Sequence, residues 1–235
     1  MYQHVIKRML DIVVSGVGIV ALALPMVGIA LAIKIDDPGP ALFKQKRVGR
    51  KTNGEITYFY ILKFRSMKMC APHDVPTHLL EDPEQYITRV GKFIRKTSLD
   101  ELPQIYQVFT GKLSCIGPRP ALWSQDDLVG EREKYRANDV RPGITGWAQI
   151  NGRDELEIHE KAKLDGEYAA AIKAGVFRGV LMDAKCFFGT VRSVLRSDGV
   201  VEGGTGRLKN GRKKDGSQNE KNIDHGCGQL YRDVL

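Results

Sequence analysis

The sequence predicts an α+β protein in which an N-terminal membrane helix precedes a small domain of mixed helices and short strands. Residues 12–33 run for 22 positions without a charged side chain. After them, short runs rich in aromatic and β-branched residues alternate with segments whose apolar residues have helical spacing. The chain of 235 residues is long enough for one globular domain with appendages.

The apolar segment is long enough to enter a bilayer. At about 1.5 Å per residue, a helix over residues 12–33 measures about 33 Å, against a hydrocarbon core of about 30 Å. Pro25 lies inside the segment. Because proline removes a backbone donor and clashes with the preceding turn, we expect a kink or a break in the helix there.

Basic residues lie on both sides of this segment, so the positive-inside rule does not place its ends on opposite faces of a membrane. Lys7 and Arg8 precede it and Lys34 follows it. A proline-broken, re-entrant helix that enters and leaves on one face satisfies both observations. An ordinary membrane span and a cleaved signal peptide, ending at the A-x-A-like residues 30–32, are the alternatives.

The next elements are a turn and a hairpin. Residues 36–40, DDPGP, form a turn that ends the membrane helix. Residues 41–50 and 55–67 have the composition of strands, and the Asn53-Gly54 pair between them is typical of a β-hairpin turn.

Helical patterns follow at 100–110, 121–137, 155–174 and 177–196. In the last of these, five apolar residues recur at helical spacing: Val180, Ala184, Phe187, Val191 and Val194. We expect this stripe to face the core, with the bilayer surface as the alternative. The predicted organisation is an anchor at 1–36, a mixed domain at 37–202, and a basic, disordered tail at 203–235.

The net charge indicates a class of partner, and the spacing of the cysteines indicates their chemical state. A net charge of +8 indicates an anionic partner, which is a nucleic acid, a lipid head-group surface or a phosphorylated substrate. The four cysteines are widely spaced and form no C-x-x-C pair, so a structural zinc site is not predicted. We expect reduced thiols rather than a disulfide framework.

Two adjacent carboxylates, Asp100 and Glu101 in KTSLDELPQI, are the first candidates for chemistry. Ser98 and Glu101 fit a capping box, but Pro103 would then cost a helical hydrogen bond. Moving the cap to Asp100 removes this conflict and puts both carboxylates at the positive end of a helix. The residues alone leave a purely capping role and a role in holding Mg²⁺ or approaching a phosphate both open.

Several basic residues have the setting of phosphate ligands. Lys63 and Arg65 alternate on a predicted strand and would share one face. Arg119 lies between two prolines on a rigid loop, and Arg141 and Arg153 bracket the glycine-rich PGITGWAQING. The sequence contains no Walker A motif and no dinucleotide-binding fingerprint.

Several long motifs occur in one order: the proline-containing apolar helix, DDPGPALFKQKRVGR, LKFRSM, RKTSLDELPQIYQVFTGKLSCIGPRP and VRPGITGWAQINGR. In these motifs the chain resembles the bacterial sugar transferases that act on polyprenyl phosphate, the monotopic phosphoglycosyl transferases, from about Lys7 to Gly199. One departure is Leu24, which precedes Pro25 where the family often has a small polar residue.

The resemblance implies transfer of a sugar-1-phosphate from a UDP-sugar to undecaprenyl phosphate, with release of UMP. It implies that Asp100 is the nucleophile and carries a covalent phosphosugar. Glu101 would take the proton from the lipid phosphate or help to place it. Mg²⁺ is the implied cofactor, with Asp100 as its expected ligand.

The resemblance also implies further site residues and a location. Lys63, Arg65, Arg95, Arg153 and Asp165 would line the active site, and Pro118, Arg119 and Pro120 would form the nucleotide-side loop. The domain would lie on the cytoplasmic face of the bacterial inner membrane, against anionic lipids. The reaction would be the first membrane step of polysaccharide or glycoconjugate synthesis, such as exopolysaccharide, lipopolysaccharide or capsule.

Three rival interpretations remain at this level. A membrane-tethered nucleic-acid-binding or regulatory protein would use the basic tail and arginines, but it leaves the Asp-Glu motif and the membrane segment unexplained. A structural component of an export complex would release no nucleotide. A transferase that joins donor and acceptor in a ternary complex would form no covalent intermediate. We expect no nucleic-acid partner.

Overall fold

The structure is a computed structural model that describes residues 2–3, 5–71, 83–152 and 156–195. Helices and strands are mixed along the chain, which confirms the predicted class. Within those residues the α-helices are Ile6–Asp36 (α1), Arg89–Lys96 (α2), Gln104–Phe109 (α3), Asp126–Lys134 (α4), Trp147–Ile150 (α5), Ile158–Lys173 (α6) and Val176–Leu195 (α7). The strands are Leu42–Thr52 (β1), Glu55–Phe64 (β2), Ser114–Ile116 (β3) and Gly143–Thr145 (β4). The predicted tail at 203–235 lies outside the described residues.

Helix α1 runs through Pro25 without interruption, so a break there is wrong, whereas a kink stays a prediction. The proline ring removes one backbone donor, and long apolar helices tolerate this loss where neighbouring groups or local adjustments satisfy the freed carbonyl. By length and composition alone, α1 could cross a membrane, and 11% of its most apolar window is buried inside the protein.

One face of α1 packs against the domain over most of the helix. The buried residues are Lys7, Asp11, Ser15, Met26 and Ile33, whose spacing keeps them on one side of an α-helix. The opposite face exposes a row of large apolar side chains: Leu10, Val13, Val17, Val20, Leu24, Val27, Leu31 and Ile35. This row is an apolar surface that water solvates poorly.

Both ends of α1 contact the same domain. Near its start, Arg8 donates to the carbonyls of Val108 and Phe109, each at 2.6 Å. At its end, Asp36 accepts from the Val90 N–H at 2.8 Å. An uninterrupted helix of 31 residues is about 46 Å long, so its two ends lie far apart along the domain. The domain therefore lies alongside α1 and contacts it near both ends.

Strands β1 and β2 form the predicted hairpin. Asn53 and Gly54 at its turn both have positive φ, 53° and 86°, as a two-residue type I′ turn requires. The antiparallel register pairs Phe43 with Lys63, so Lys63 lies near the end of β2, next to the buried Phe64.

Strands β3 and β4 pair in parallel and bring two glycine-rich segments together backbone to backbone. Ser114 lies opposite Gly143 in the register. A Cβ added to Gly143 would lie 2.1 Å from the Gly117 nitrogen, so no larger residue fits there. This approach fixes the start of the loop that carries Arg119.

The helical predictions are correct in part. Helices α6 and α7 confirm the patterns at 155–174 and 177–196, whereas α4 is shorter than predicted and α2 was not predicted. The core interpretation of the α7 stripe is wrong, because Val180, Phe187 and Val191 are exposed. Gly179 and Cys186 face the core instead, because the small Gly179 leaves room for the ring of Tyr2.

Of the cysteines in the described part of the chain, Cys115 and Cys186 are free, as expected. Cys70 is disulfide-bonded, which corrects the expectation of reduced thiols throughout.

Candidate active site

The two adjacent carboxylates lie where the chain turns from α2 into α3. Ser98 is left-handed, with φ 55° and ψ 18°, and a 3₁₀ turn over Leu99–Glu101 follows it without a side-chain cap. Helix α3 begins after Pro103, so the predicted helix cap at Asp100 is wrong. The 3₁₀ turn puts Pro103 at the helix start, where its missing N–H costs nothing.

Asp100 is buried, with 5% of its surface exposed, and a lysine faces it. Lys63 Nζ lies 3.7 Å from Asp100 Oδ2 and 2.9 Å from Glu101 Oε1. Arg119 Nη2 also lies 2.9 Å from Glu101 Oε1. The structure therefore brings four of the predicted site residues together from β2, the 3₁₀ turn and the loop after β3.

The charge state of Glu101 follows from these contacts. Burial raises the pKa of Glu101, but the charges of Arg119 and Lys63 outweigh burial and hold this pKa well below its usual range. A carboxylate with such a low pKa stays ionised at neutral pH and is a weak base. Glu101 is therefore suited to holding the two cations in place.

The loop from Pro118 to Ala121 is held by its carbonyl groups. Four consecutive carbonyls each accept a hydrogen bond from a different group. In chain order the donors are the Gly143 N–H, Arg132 Nη2, Arg47 Nη1 and the Val48 N–H, at 3.0, 2.9, 3.1 and 2.9 Å. Because the two prolines have no N–H to donate, these carbonyl bonds set the position of the loop and hence of Arg119.

Asp165 lies behind this loop. It is fully buried in α6, and its Oδ2 accepts from Arg132 Nε at 2.8 Å and from Arg132 Nη2 at 2.5 Å. Arg132 also donates to the Arg119 carbonyl. Asp165, predicted as a site residue, thus contacts the loop through Arg132.

Arg65 has a different partner from Lys63. It forms an ion pair with the side chain of Asp37 and also donates to the Asp37 carbonyl. The Met69 N–H donates to the same carboxylate at 3.1 Å. Arg65 therefore connects the end of α1 to the end of β2, which accounts for its burial without a substrate.

Three other predicted arginines take separate places. Arg95 lies in the last turn of α2, five residues before Asp100. Arg141 lines a small cavity with Lys7 and Tyr168, at the start of α1. Arg153 lies outside the described residues, and its role stays a prediction.

A profile of the bacterial sugar transferase family matches residues 2–197. The chain belongs to this family. It is 40% identical over 179 residues to the UDP-glucose:undecaprenyl-phosphate glucose-1-phosphate transferase of Escherichia coli (strain K12), covering 71% of this chain and 36% of the relative. It is 42% identical over 186 residues to the galactosyl transferase CpsE of Streptococcus agalactiae serotype III (strain NEM316), covering 71% and 38%.

The chain matches a different fraction of the length of each relative. The chain spans little more than a third of the length of those two proteins. By contrast, it is 37% identical over 205 residues to the exopolysaccharide production protein PSS of Rhizobium leguminosarum bv. phaseoli, covering 81% of this chain and 96% of that protein. The comparisons do not favour the nucleic-acid-binding interpretation.

The two adjacent carboxylates are the candidates for holding a metal ion in this bacterial sugar transferase. The described residues contain no group of three or more His, Cys, Asp or Glu placed to hold a metal ion. Asp100 and Glu101 are adjacent, however, and Mg²⁺ is commonly held by one or two carboxylates together with substrate phosphates. The site therefore fits Mg²⁺ as a companion of a bound diphosphate.

Two buried charged residues of this bacterial sugar transferase are not predicted from its sequence. Arg132 lies within a charged helix, where most arginines are solvated, so its pattern gave no signal. Asp11 accepts from the Ser114 hydroxyl at 2.8 Å and from the Cys115 N–H at 2.9 Å. A lone carboxylate beside an apolar segment is costly unless it is paired, and that was the available signal.

Proposed function

We propose that this protein transfers a sugar-1-phosphate from a UDP-sugar to undecaprenyl phosphate and releases UMP. The observation that carries the proposal is the buried Asp100 with Lys63 Nζ 3.7 Å from its carboxylate. The names of the relatives from Escherichia coli and Xanthomonas campestris, each a UDP-glucose:undecaprenyl-phosphate glucose-1-phosphate transferase, support the substrate classes.

Asp100 is the proposed nucleophile of a two-step reaction. A carboxylate oxygen attacks the β-phosphorus of the UDP-sugar, and an acyl-phosphate bond forms. The bond from that phosphorus to the bridging oxygen breaks, and its electron pair leaves with UMP. A phosphate oxygen of undecaprenyl phosphate then attacks the same phosphorus, which restores the carboxylate and yields the lipid diphosphate sugar.

Lys63 and Arg119 supply positive charge to this reaction. Both contact Glu101 Oε1 at 2.9 Å, so their ammonium and guanidinium groups are oriented before substrate binds. Fixed cations stabilise the charge that develops on the phosphoryl oxygens and on departing UMP. Mg²⁺ bound with the diphosphate, with Asp100 as its expected ligand, would add charge neutralisation.

Glu101 has the role of placing groups rather than removing protons. Its low pKa makes it a weak base. The second pKa of an alkyl phosphate is about 6, so the acceptor is largely deprotonated at neutral pH and needs little base assistance. Of the two roles implied by the family resemblance, positioning is the one that this chemistry favours.

The membrane arrangement follows from α1. Its exposed apolar row would face lipid, while both of its ends contact the domain. We propose that the domain sits on the cytoplasmic face of the inner membrane, where the UDP-sugar and the lipid phosphate meet. The net charge of +8 would favour anionic lipids.

The decisive experiment omits the acceptor. Purified protein is mixed with Mg²⁺ and UDP-glucose labelled in the β-phosphate, and UMP release and protein-bound label are followed. We expect a burst of about one UMP per protein with the label retained. Asp100→Asn should abolish both, whereas Asp126→Asn, at the exposed start of α4, should change neither.

The outcomes separate the mechanisms. A burst that survives in Asp100→Asn would show that another group is the nucleophile. Release of UMP that requires undecaprenyl phosphate, with no label on the protein, would favour the ternary-complex mechanism. A panel that includes UDP-glucose and UDP-galactose would identify the sugar, since relatives are named for both glucose and galactose.

A further inference from the structure

We propose that Arg132 is a positioning residue for Arg119: it holds the loop between β3 and α4 by the Arg119 carbonyl, so that the Arg119 guanidinium stays against Glu101. The kinetic part of this proposal rests on the proposed function; the structural part does not. Arg132 itself contacts neither Asp100 nor Glu101 through the hydrogen bonds described above, so it acts through the loop.

The contacts form a continuous chain from α6 to the carboxylates. Asp165 Oδ2 accepts from Arg132 Nε and Nη2, and Arg132 Nη2 also donates to the Arg119 carbonyl at 2.9 Å. The side chain of Arg119 then reaches Glu101 Oε1 at 2.9 Å. The side chains of Arg132 and Asp165 are 4% and 1% exposed, so water does not compete for these bonds.

The chemistry of arginine suits this task. The guanidinium is planar and rigid, and its Nε and Nη2 both donate to Asp165 Oδ2, which restricts its orientation. The orientation of the Arg132 guanidinium therefore sets the direction in which Nη2 donates to the Arg119 carbonyl, and hence where that carbonyl lies. A lysine at position 132 could pair with Asp165, but a single ammonium on a flexible stem could not define the same plane.

The other three carbonyl bonds in the loop do not replace this one. They hold Pro118, Pro120 and Ala121, whereas Arg132 holds the residue whose side chain lies at the site. A well-packed apolar pair could join α4 to α6 with equal stability, but it could not donate to this carbonyl. This difference is what the experiment uses.

Two kinds of variant distinguish an effect on the position of the loop from an effect on the stability of the protein. Arg132→Lys keeps a cation beside the buried Asp165. The pair Arg132→Met with Asp165→Val replaces the ion pair by apolar side chains and avoids a buried unpaired charge. Lys134→Ala is the matched control, because Lys134 is a cation on the same helix with 66% of its side chain exposed.

Hydrogen exchange of full-length protein measures how firmly the loop is held, and it needs no substrate. We expect peptides over 117–125 to exchange at least about tenfold faster in both Arg132 variants, while peptides of α6 keep wild-type rates. Loop exchange at the wild-type rate would overturn the proposal. If wild-type protein releases no UMP, the proposed function fails and this measurement alone decides the inference.

Single-turnover kinetics measures how the position of Arg119 affects the rate of UMP release. Arg132→Lys should slow single-turnover UMP release about 10- to 100-fold, because small misplacements of a catalytic group have effects of this size, and should change KM for the UDP-sugar less than about threefold. In an Arg119→Ala background it should slow release no further. Equal slowing in both backgrounds, or none in the wild-type background, would contradict a role exerted through Arg119.

Discussion

Replacing Glu101 by glutamine keeps the shape of the side chain and removes its charge. Glu101 Oε1 accepts 2.9 Å hydrogen bonds from Lys63 Nζ and Arg119 Nη2. Hydrogen bonds to charged groups contribute about 1.5–3 kcal/mol each, and the Arg119 side chain, 35% exposed, falls at the low end because water screens it. The variant also avoids the desolvation of a carboxylate, so we expect a net loss of about 2 kcal/mol in the free energy of unfolding at pH 7.

The pH dependence gives the sharper test. The folded pKa of Glu101 lies below its unfolded value, so its contribution is full above about pH 5 and is lost as pH falls through the folded pKa. A loss of 2 kcal/mol lowers Tm by about 4–8 °C for a protein of this size. The Tm difference between wild type and Glu101→Gln, measured in detergent at one scan rate, should be full at pH 7 and shrink below pH 4.

A matched control and a refuting result complete this test. Glu84→Gln removes a 3.8 Å surface pair with Lys92, in which the Glu84 and Lys92 side chains are 80% and 61% exposed, and should leave Tm unchanged. If Glu101→Gln is as stable as wild type at pH 7, or if the difference is the same at pH 7 and in acid, the paired carboxylate described here is not the ionised one.

Three further predictions use other parts of the site. Lys63→Met should slow single-turnover UMP release about 10²- to 10³-fold, as the loss of a preorganised charge does; a wild-type rate would exclude Lys63 from catalysis. Gly143→Ala should cost about 1–3 kcal/mol or more through its clash with Gly117, measured as a lower Tm, whereas Gly130→Ala, which meets open space, should be neutral or stabilising. Burial and a nearby carboxylate raise the pKa of Cys115 to about 12, so native protein at pH 8 should resist alkylation at Cys115 by iodoacetamide, scored by mass spectrometry; rapid native labelling would contradict that environment.

The features that sequence predicted well depend on local chemistry. Asn53-Gly54 specifies its turn because both residues tolerate positive φ, and the flanking strand residues follow. The apolar composition of α1 and the helical spacing in α6 and α7 likewise gave the elements and nearly their bounds. Asp100, Glu101, Lys63 and Arg119 were identified from motifs, and the structure brings them together.

The errors share a different cause. The predicted helix cap at Asp100 is wrong because a left-handed Ser98 and a 3₁₀ turn place Pro103 at the start of α3, where its missing N–H costs no hydrogen bond. The stripe on α7 was assigned to the core because periodicity shows that a helix has an apolar face and not what covers it. The sequence also did not predict that Asp37 would pair with Arg65, because no periodicity connects the two residues; the site role of Arg65 stays a prediction.

By itself, the sequence determined the apolar anchor, the hairpin, the family and the adjacent carboxylates, because each of these is written in neighbouring residues. The tertiary structure decided which charges meet. Arg132 comes from α4, Asp165 from α6 and Glu101 from the turn before α3, and they act on one loop only because the chain folds them together. Electrostatic interactions depend on distance in space and on burial, and sequence spacing reports neither for residues far apart in the chain.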